Sequence, residues 1–271
     1  MAVMIRARKE QKYECALITG ATRGIGLAFA RELARSGCRL VIVARGEQRL
    51  AEVAAELLAQ GAVEVVPLVC DLSREGAAAW LHEECCKRGL RVDLVVNNAG
   101  LFAYCDQTAL DNERVKAMLQ LNVVAPTELS RLFVGDMVGR GRGAIVNISS
   151  YAALMAWPGL AMYSGTKAYL DTYTCALARE VRGSGVRVLS VMPAGVATDL
   201  YGLPPRLQRV GLRLGVLWSA ERVARGCLRA LGGSRVRYVP GVLNRVLRPV
   251  VRHLPERVIS FLRRKTLVFQ K

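Results

Sequence analysis

Tyr163 and Lys167 lie four residues apart in Tyr163-Ser164-Gly165-Thr166-Lys167. Ser150 lies thirteen residues upstream, at the end of Ile145-Val146-Asn147-Ile148-Ser149-Ser150. If Tyr163 opens a helix, this spacing puts the phenol and the ammonium on one face, about a turn apart. A phenol ordinarily ionises near pH 10, too high for easy proton exchange with a carbonyl oxygen at neutral pH. A cation held beside it favours the phenolate and brings the group toward the range useful in acid–base catalysis. Tyr-x-x-x-Lys is also a common surface pair, so its meaning depends on the elements that position it.

Upstream, Cys15-Ala16-Leu17-Ile18-Thr19 is an apolar run that predicts a buried strand. It leads into Gly20-Ala21-Thr22-Arg23-Gly24-Ile25-Gly26, and Leu27–Ala34 then has helical periodicity. In a strand–turn–helix setting the three glycines have separate uses. Gly20 permits the tight turn, Gly24 lets a pyrophosphate approach the backbone, and Gly26 lets helix pack on strand. The helix N-terminus offers free N–H groups and a positive dipole end to phosphate. The next strand, Arg39–Arg45, should end over the adenosine ribose, where a carboxylate would select NAD. The positions there are Ala44 and Arg45, with Arg23 already in the glycine turn, and two guanidiniums without an acid favour a 2′-phosphate, hence NADP(H).

Over roughly residues 13–200 the chain resembles the short-chain dehydrogenase/reductase family. Thr19-Gly20-x-x-x-Gly24-Ile25-Gly26 looks like its cofactor turn. Asp71, followed by Leu72, matches the acid that holds the adenine amino group. Asn97-Asn98-Ala99-Gly100 matches the turn beside the cofactor, and Asn122, Ser150, Tyr163 and Lys167 fall where the catalytic tetrad falls. Pro193-Ala194-Gly195-Val196-Ala197-Thr198 departs from the usual Pro-Gly-x-Val-x-Thr by an alanine at the first glycine position, which puts the local loop conformation in question. The resemblance implies that Pro193, Val196 and Thr198 lie by the nicotinamide and a nearby phosphate. It further implies that hydride passes to a substrate carbonyl carbon while Tyr163 protonates the oxygen. Ser150 would donate to that oxygen, and Lys167 would hold the nicotinamide ribose and tune Tyr163. Asn122 would bend its helix and bind, through its main-chain carbonyl, a water that relays protons to Lys167. The same residues run in reverse would oxidise an alcohol with NADP⁺, and a membrane-associated NADP(H) sensor without turnover is the reading from another class.

At 271 residues the chain fits one doubly wound, parallel-sheet α/β domain of the Rossmann type over residues 13–240, with strands expected near 14–19, 39–43, 64–70, 93–96, 144–148, 186–191 and 236–239. Eight cysteines lack any Cys-x-x-Cys or regular framework, and suggest reduced core thiols in the cytosol. With only two histidines no metal is expected. No apolar run reaches the roughly 20 residues that span a bilayer, and the basic segment 1–12 lacks the apolar core of a cleaved signal.

The charge is lopsided. Residues 1–200 carry 23 Lys/Arg against 20 Asp/Glu, a balance of +3, while residues 201–271 carry 16 against 2, a balance of +14. In the basic C-terminal extension 241–271, Leu243, Val246, Leu247, Val250, Val251 and Leu254 follow helical spacing with Arg245, Arg248 and Arg252 between them. Pro249 is expected to limit this stretch to two short turns. Such a stripe either packs on the domain or a second subunit, or meets anionic lipid on the inner membrane surface. No nucleic-acid module is recognisable and aromatics are sparse, so a nucleic-acid partner is not expected. The family resemblance implies that residues 196–219 form a lid over the substrate, and its composition is strongly apolar. With Phe102, Tyr104, Leu154, Met155 and Trp157 they predict a pocket for a lipophilic carbonyl or alcohol. The family resemblance also implies a homo-oligomer.

Overall fold

The computed structural model describes residues 13–197, 206, 209, 212, 217–253, 255 and 257–261. Thr198, most of the expected lid and the segments 1–12 and 262–271 lie outside the described residues. Strand β1 (Cys15–Thr19) is buried at all five positions, which requires cover on both faces. Its side chains alternate accordingly: Ala16 and Ile18 join one apolar cluster, Cys15 and Leu17 the other. β2 (Arg39–Ala44), β3 (Val65–Val69), β4 (Leu94–Asn97), β5 (Gly143–Ile148), β6 (Val186–Val191) and β7 (Arg237–Tyr238) complete a seven-stranded sheet. All six pairings are parallel, in the order β3-β2-β1-β4-β5-β6-β7. Every expected strand is present, with ends within one residue of the sequence reading.

Helices cover both faces. α1 (Gly24–Arg35), α2 (Glu47–Ala59) and α7 (Ala220–Leu231) contribute to the first cluster. α3 (Ala77–Lys87), α5 (Ala125–Arg140) and α6 (Ala161–Glu180) contribute to the second. Fully burying one Leu, Ile or Val side chain contributes about 1.5–3 kcal/mol, so these two layers dominate the stability. The short edge strand β7 has a polar clamp besides. The guanidinium of Arg237 donates to both oxygens of buried Asp171 (3.0 Å each from Nε), which also accepts from Ser190 Oγ at 2.7 Å.

The order of the strands matters for the site. The chain winds outward from β1 to β3, returns to β4 and winds the other way, so a crevice opens beyond the carboxyl ends of β1 and β4. The glycine turn after β1 and the Asn98–Gly100 turn after β4 both end in that crevice.

Two local features bear on the sequence reading, the first at Asn122, where the resemblance implies a bent helix. Between α4 (Asn112–Leu119) and α5 the backbone widens into a π turn over Gln120–Val124, centred on Asn122. At the C-terminal end, α8 (Val242–Arg252) runs through Pro249 as one helix of eleven residues. The expected limit of two short turns is therefore corrected. Pro249 and Arg245 are both solvent-exposed, so the carbonyl that loses its i→i+4 donor can be satisfied by water instead.

Candidate active site

The nucleotide side is built from main-chain donors. α1 begins at Gly24 after an extended Arg23, and no side chain caps it. The amides of its first turn are thus left for a ligand. They face a cavity of about 490 Å³ lined by Gly20, Thr22, Arg23, Gly24 and Ile25, by Ala44 and Arg45 at the end of β2, and by Asp71 and Leu72 after β3. Asn98, Ala99 and Gly100 follow from β4, then Ser150, Tyr163, Lys167, Pro193 and Val196. Every cofactor-side residue singled out in the sequence and among those described lines this one cavity, apart from Gly26. Gly26 stands behind the wall: a Cβ there would collide with the main-chain oxygen of Gly20. Gly20 itself has φ +65°, and a Cβ on it would lie 2.9 Å from Asn98 Nδ2.

Thr19, which opens the cofactor-turn motif in the sequence, ties the two turns together. Its hydroxyl donates to Val96 O and accepts from the amides of Asn98 (2.9 Å) and Ala99 (3.0 Å). Asn98 Nδ2 returns two bonds, to Thr19 O and Gly20 O. A deeper lattice of Asn97, Ser130, Asn147 and Thr174 pins β4 and β5 to α5 and α6. The only signal for it in sequence is polar side chains where a buried strand or helix face should be apolar.

At the adenosine end, the Asp71 carboxyl is held below the usual carboxylate range. Burial opposes its charge, but the Ser73 hydroxyl and amide (2.6 and 3.0 Å) and the charges of Arg45 and Arg74 outweigh burial. Asp71 is therefore an ionised acceptor near a cation.

At the other end, Tyr163 lies in the first turn of α6, which starts two residues earlier at Ala161, and Lys167 follows one turn on. Lys167 is 5 % exposed; its Nζ donates to Ile148 O at 2.9 Å and lies 5.9 Å from the centre of the Tyr163 ring. Loss of hydration pushes its pKa down to about 8. Ser149, the neighbour that might be confused with Ser150, spends its hydroxyl on Lys167 O at 2.7 Å. Ser150 Oγ accepts from Ala152 N at 3.1 Å; that bond uses a lone pair and leaves the hydroxyl proton for donation. Phe102 packs edge-on to Tyr163 with centroids 4.9 Å apart, and Trp157 Nε1 donates to Tyr104 Oη. Of the half-buried aromatics expected around the substrate, Phe102 thus lies against the phenol, and Trp157 and Tyr104 bond to each other.

Asn122 stands behind Lys167. Its amide holds Leu101 from both sides, accepting from Leu101 N (2.8 Å) and donating to Leu101 O (2.9 Å), and it donates to Thr166 Oγ1 as well. Gly100 fills the gap between the two: a Cβ on it would be 3.2 Å from Asn122 Oδ1 and 3.4 Å from Lys167 Nζ. Ala194 needs no left-handed backbone, since no non-glycine residue among those described has a positive φ. The loop is fixed by Tyr151 N donating to Pro193 O, and by Trp218 bonding to both Gly195 O and Ala197 N. The eight cysteines are all free thiols. The one grouping of metal-capable side chains among the described residues, His82, Cys86 and Asp136, is not part of this cavity.

Uncapped helix amides, two arginines, an ionised carboxylate and a phenol–ammonium pair in one cavity fit a nicotinamide dinucleotide. Comparison with known proteins points the same way. The profile of the short chain dehydrogenase family matches residues 14–203. The human very-long-chain 3-oxoacyl-CoA reductase is 34 % identical over 192 residues, 69 % of this chain and 61 % of that protein. The human inactive hydroxysteroid dehydrogenase-like protein 1 is 35 % identical over 187 residues, 68 % and 56 % of the two chains. The chain therefore spans about three fifths of the length of the curated relatives it matches. Among solved structures, a short-chain dehydrogenase from Sphingobium yanoikuyae in complex with NADPH superimposes with a TM-score of 0.76 at 28 % identity, covering 90 % of this chain and 97 % of that one. With its family profile matched over most of its length and its fold shared, the chain belongs to the short-chain dehydrogenase family of oxidoreductases.

Proposed function

We propose that this oxidoreductase reduces a hydrophobic ketone or aldehyde to the alcohol using NADPH, with Asn122, Ser150, Tyr163 and Lys167 as its catalytic residues. The observation that carries the reading is that Tyr163, Lys167 and Ser150 line the same cavity as the glycine turn and the Arg23/Arg45 pair. The cofactor, when bound, supplies the hydride. Tyr163 Oη gives its proton to the carbonyl oxygen as charge develops there, and Ser150 Oγ donates a hydrogen bond to the same atom. The buried ammonium of Lys167 favours the phenolate that remains and binds the nicotinamide ribose. Asn122, at the π turn, binds through its main-chain carbonyl the water that returns the proton by way of Lys167. Arg23 and Arg45 select the 2′-phosphate, and Asp71 accepts from the adenine.

The packing of Phe102 on Tyr163 supports a lipophilic substrate, and the named activity of the relatives supports a long-chain 3-oxoacyl thioester as its class. Oxidation of the corresponding alcohol crosses the same transition state, so the cellular cofactor ratio sets the direction. A cofactor sensor without turnover is the second reading, since one relative is named inactive. The intact tetrad here weighs against it, because a sensor needs only the nucleotide half. The protein is placed in the cytoplasm, with a homo-oligomer as its assembly. The test is oxidation of NADPH and of NADH against carbonyls graded by chain length and ring size. Turnover that rises with apolar size and prefers NADPH supports the proposal. Tight NADPH binding with no turnover of any member favours the sensor.

A further inference from the structure

Helix α8 carries its apolar side chains outward. Val242, Leu243, Val246 and Val250 are 69, 66, 65 and 56 % exposed, and Val258 and Phe261 further along are 39 and 60 % exposed. The helix is tied to the domain by Tyr151 Oη, which donates to Asn244 O at 2.9 Å. The same stretch of sequence is rich in cations. Arg245 and Arg257 are exposed, Arg248 and Arg252 belong to the same helix, and Arg263-Arg264-Lys265 follow. Residues 241–271 hold eight Lys/Arg and one Glu. A second copy of the chain would bring the same positive charge to the contact, which opposes self-association through this face. An apolar layer beneath negative headgroups complements both features. Eleven residues rise only about 16 Å, so the helix can lie on a bilayer but not cross it. No helix among the described residues is long and apolar enough to cross.

The position of α8 gives this surface a catalytic meaning. Tyr151 adjoins Ser150, so the Tyr151–Asn244 bond fastens α8 to the turn that presents the serine. At the start of α8, Gly241 lies against Trp218, where a Cβ would be 3.2 Å from the indole. Trp218 in turn pairs with Val196, which lines the cavity. We infer that α8 seats in the interface of an anionic bilayer and brings the substrate entrance with it, so that a lipophilic carbonyl reaches Tyr163 directly from lipid. The docking half stands on its own; the entrance half rests on the proposed reductase function.

The test uses the full chain carrying Tyr163→Phe, cosedimented with vesicles of phosphatidylcholine alone or with phosphatidylserine added. Docking predicts binding to the anionic vesicles only. Arg245→Ala with Arg257→Ala should weaken it about 30-fold, from the attraction of two arginines to the surface, and Val246→Asp about tenfold or more. Equal binding to both vesicles, or to neither, overturns docking. Anionic binding that survives Val246→Asp also overturns it, because attraction without insertion is not this mode. So does a dimer that Val246→Asp dissolves, which would make the face a self-contact. In the active protein, Val246→Asp should raise KM for a vesicle-borne long-chain carbonyl and leave kcat/KM for a short soluble one unchanged; equal effects on both overturn the entrance half. The vesicle arm reads mass, not turnover, so it decides docking whether or not the reductase function holds.

Discussion

Lys167→Met separates what the lysine costs the fold from what it gives the reaction. In the wild-type chain, burial moves the ammonium from 10.5 down to about 8. At 1.36 kcal/mol per pH unit this is an order-of-magnitude burial cost of about 3 kcal/mol at neutral pH. Methionine removes that cost but leaves Ile148 O without the donor that now sits 2.9 Å away, a loss of about 1–3 kcal/mol. At pH 7 the variant should therefore be between equal in stability and about 2 kcal/mol more stable. Below pH 8 the lysine is charged in both states and the full cost is present. Between 8 and 10.5 the folded chain has released its proton while the unfolded chain keeps it, so wild-type stability recovers as pH rises. Above about 10.5 the cost is gone. The advantage of the variant should thus shrink by about 3 kcal/mol across this window and reverse. Cys15, Cys38 and Cys85, whose thiols burial pushes up to about 12, ionise more readily when unfolded. They weaken both proteins alike in the same range, so the difference between the two curves is the readout. Urea unfolding of the cofactor-free proteins from pH 7 to 10.5 measures it. A flat difference, or a variant well below wild type at pH 7, would refute the idea that the site stores the cost of a buried charge.

Two further substitutions test the nucleotide half. Arg23→Ala and Arg45→Ala should each raise the Kd for NADPH about 5- to 30-fold, as expected for a partly exposed charge-assisted contact of ~1–2 kcal/mol, and leave NADH unaffected. Titration of protein fluorescence with each nucleotide checks this, and equal losses for both nucleotides would contradict the 2′-phosphate assignment. Gly26→Ala drives a methyl into the main-chain oxygen of Gly20, which cannot yield as a side chain would. It should cost about 1–3 kcal/mol in urea unfolding and weaken both nucleotides; an unchanged midpoint would show that the turn relaxes freely.

Much of this architecture could be read from the chain because the physics was local. A parallel sheet buried on both faces writes its strands as continuous apolar runs such as Cys15–Thr19 and Leu40–Val43, and the glycines punctuate its turns. Tyr163, Lys167 and Ser150 were legible through spacing, since a helix and a strand end fix where each side chain goes. Contacts across the sheet were not. Thr19 is an ordinary β-branched strand residue until Asn98 and Ala99 are folded against it. The π turn at Asn122 leaves no periodic trace over five residues. The apolar stripe of α8 was visible as a period, but a period does not say whether the stripe faces in or out. Only its exposure in the fold decides that. Pro249 was overweighted for a similar reason, because the cost of a proline depends on whether water can reach the carbonyl it leaves unbonded.

The most direct measurement is steady-state reduction by Tyr163→Phe, with NADPH affinity measured on the same preparation. The substitution removes one oxygen and keeps the ring that packs on Phe102. The account predicts a fall in kcat/KM of about 10²–10⁴-fold with the Kd for NADPH nearly unchanged. Turnover close to wild type would contradict it, because another group would then be delivering the proton.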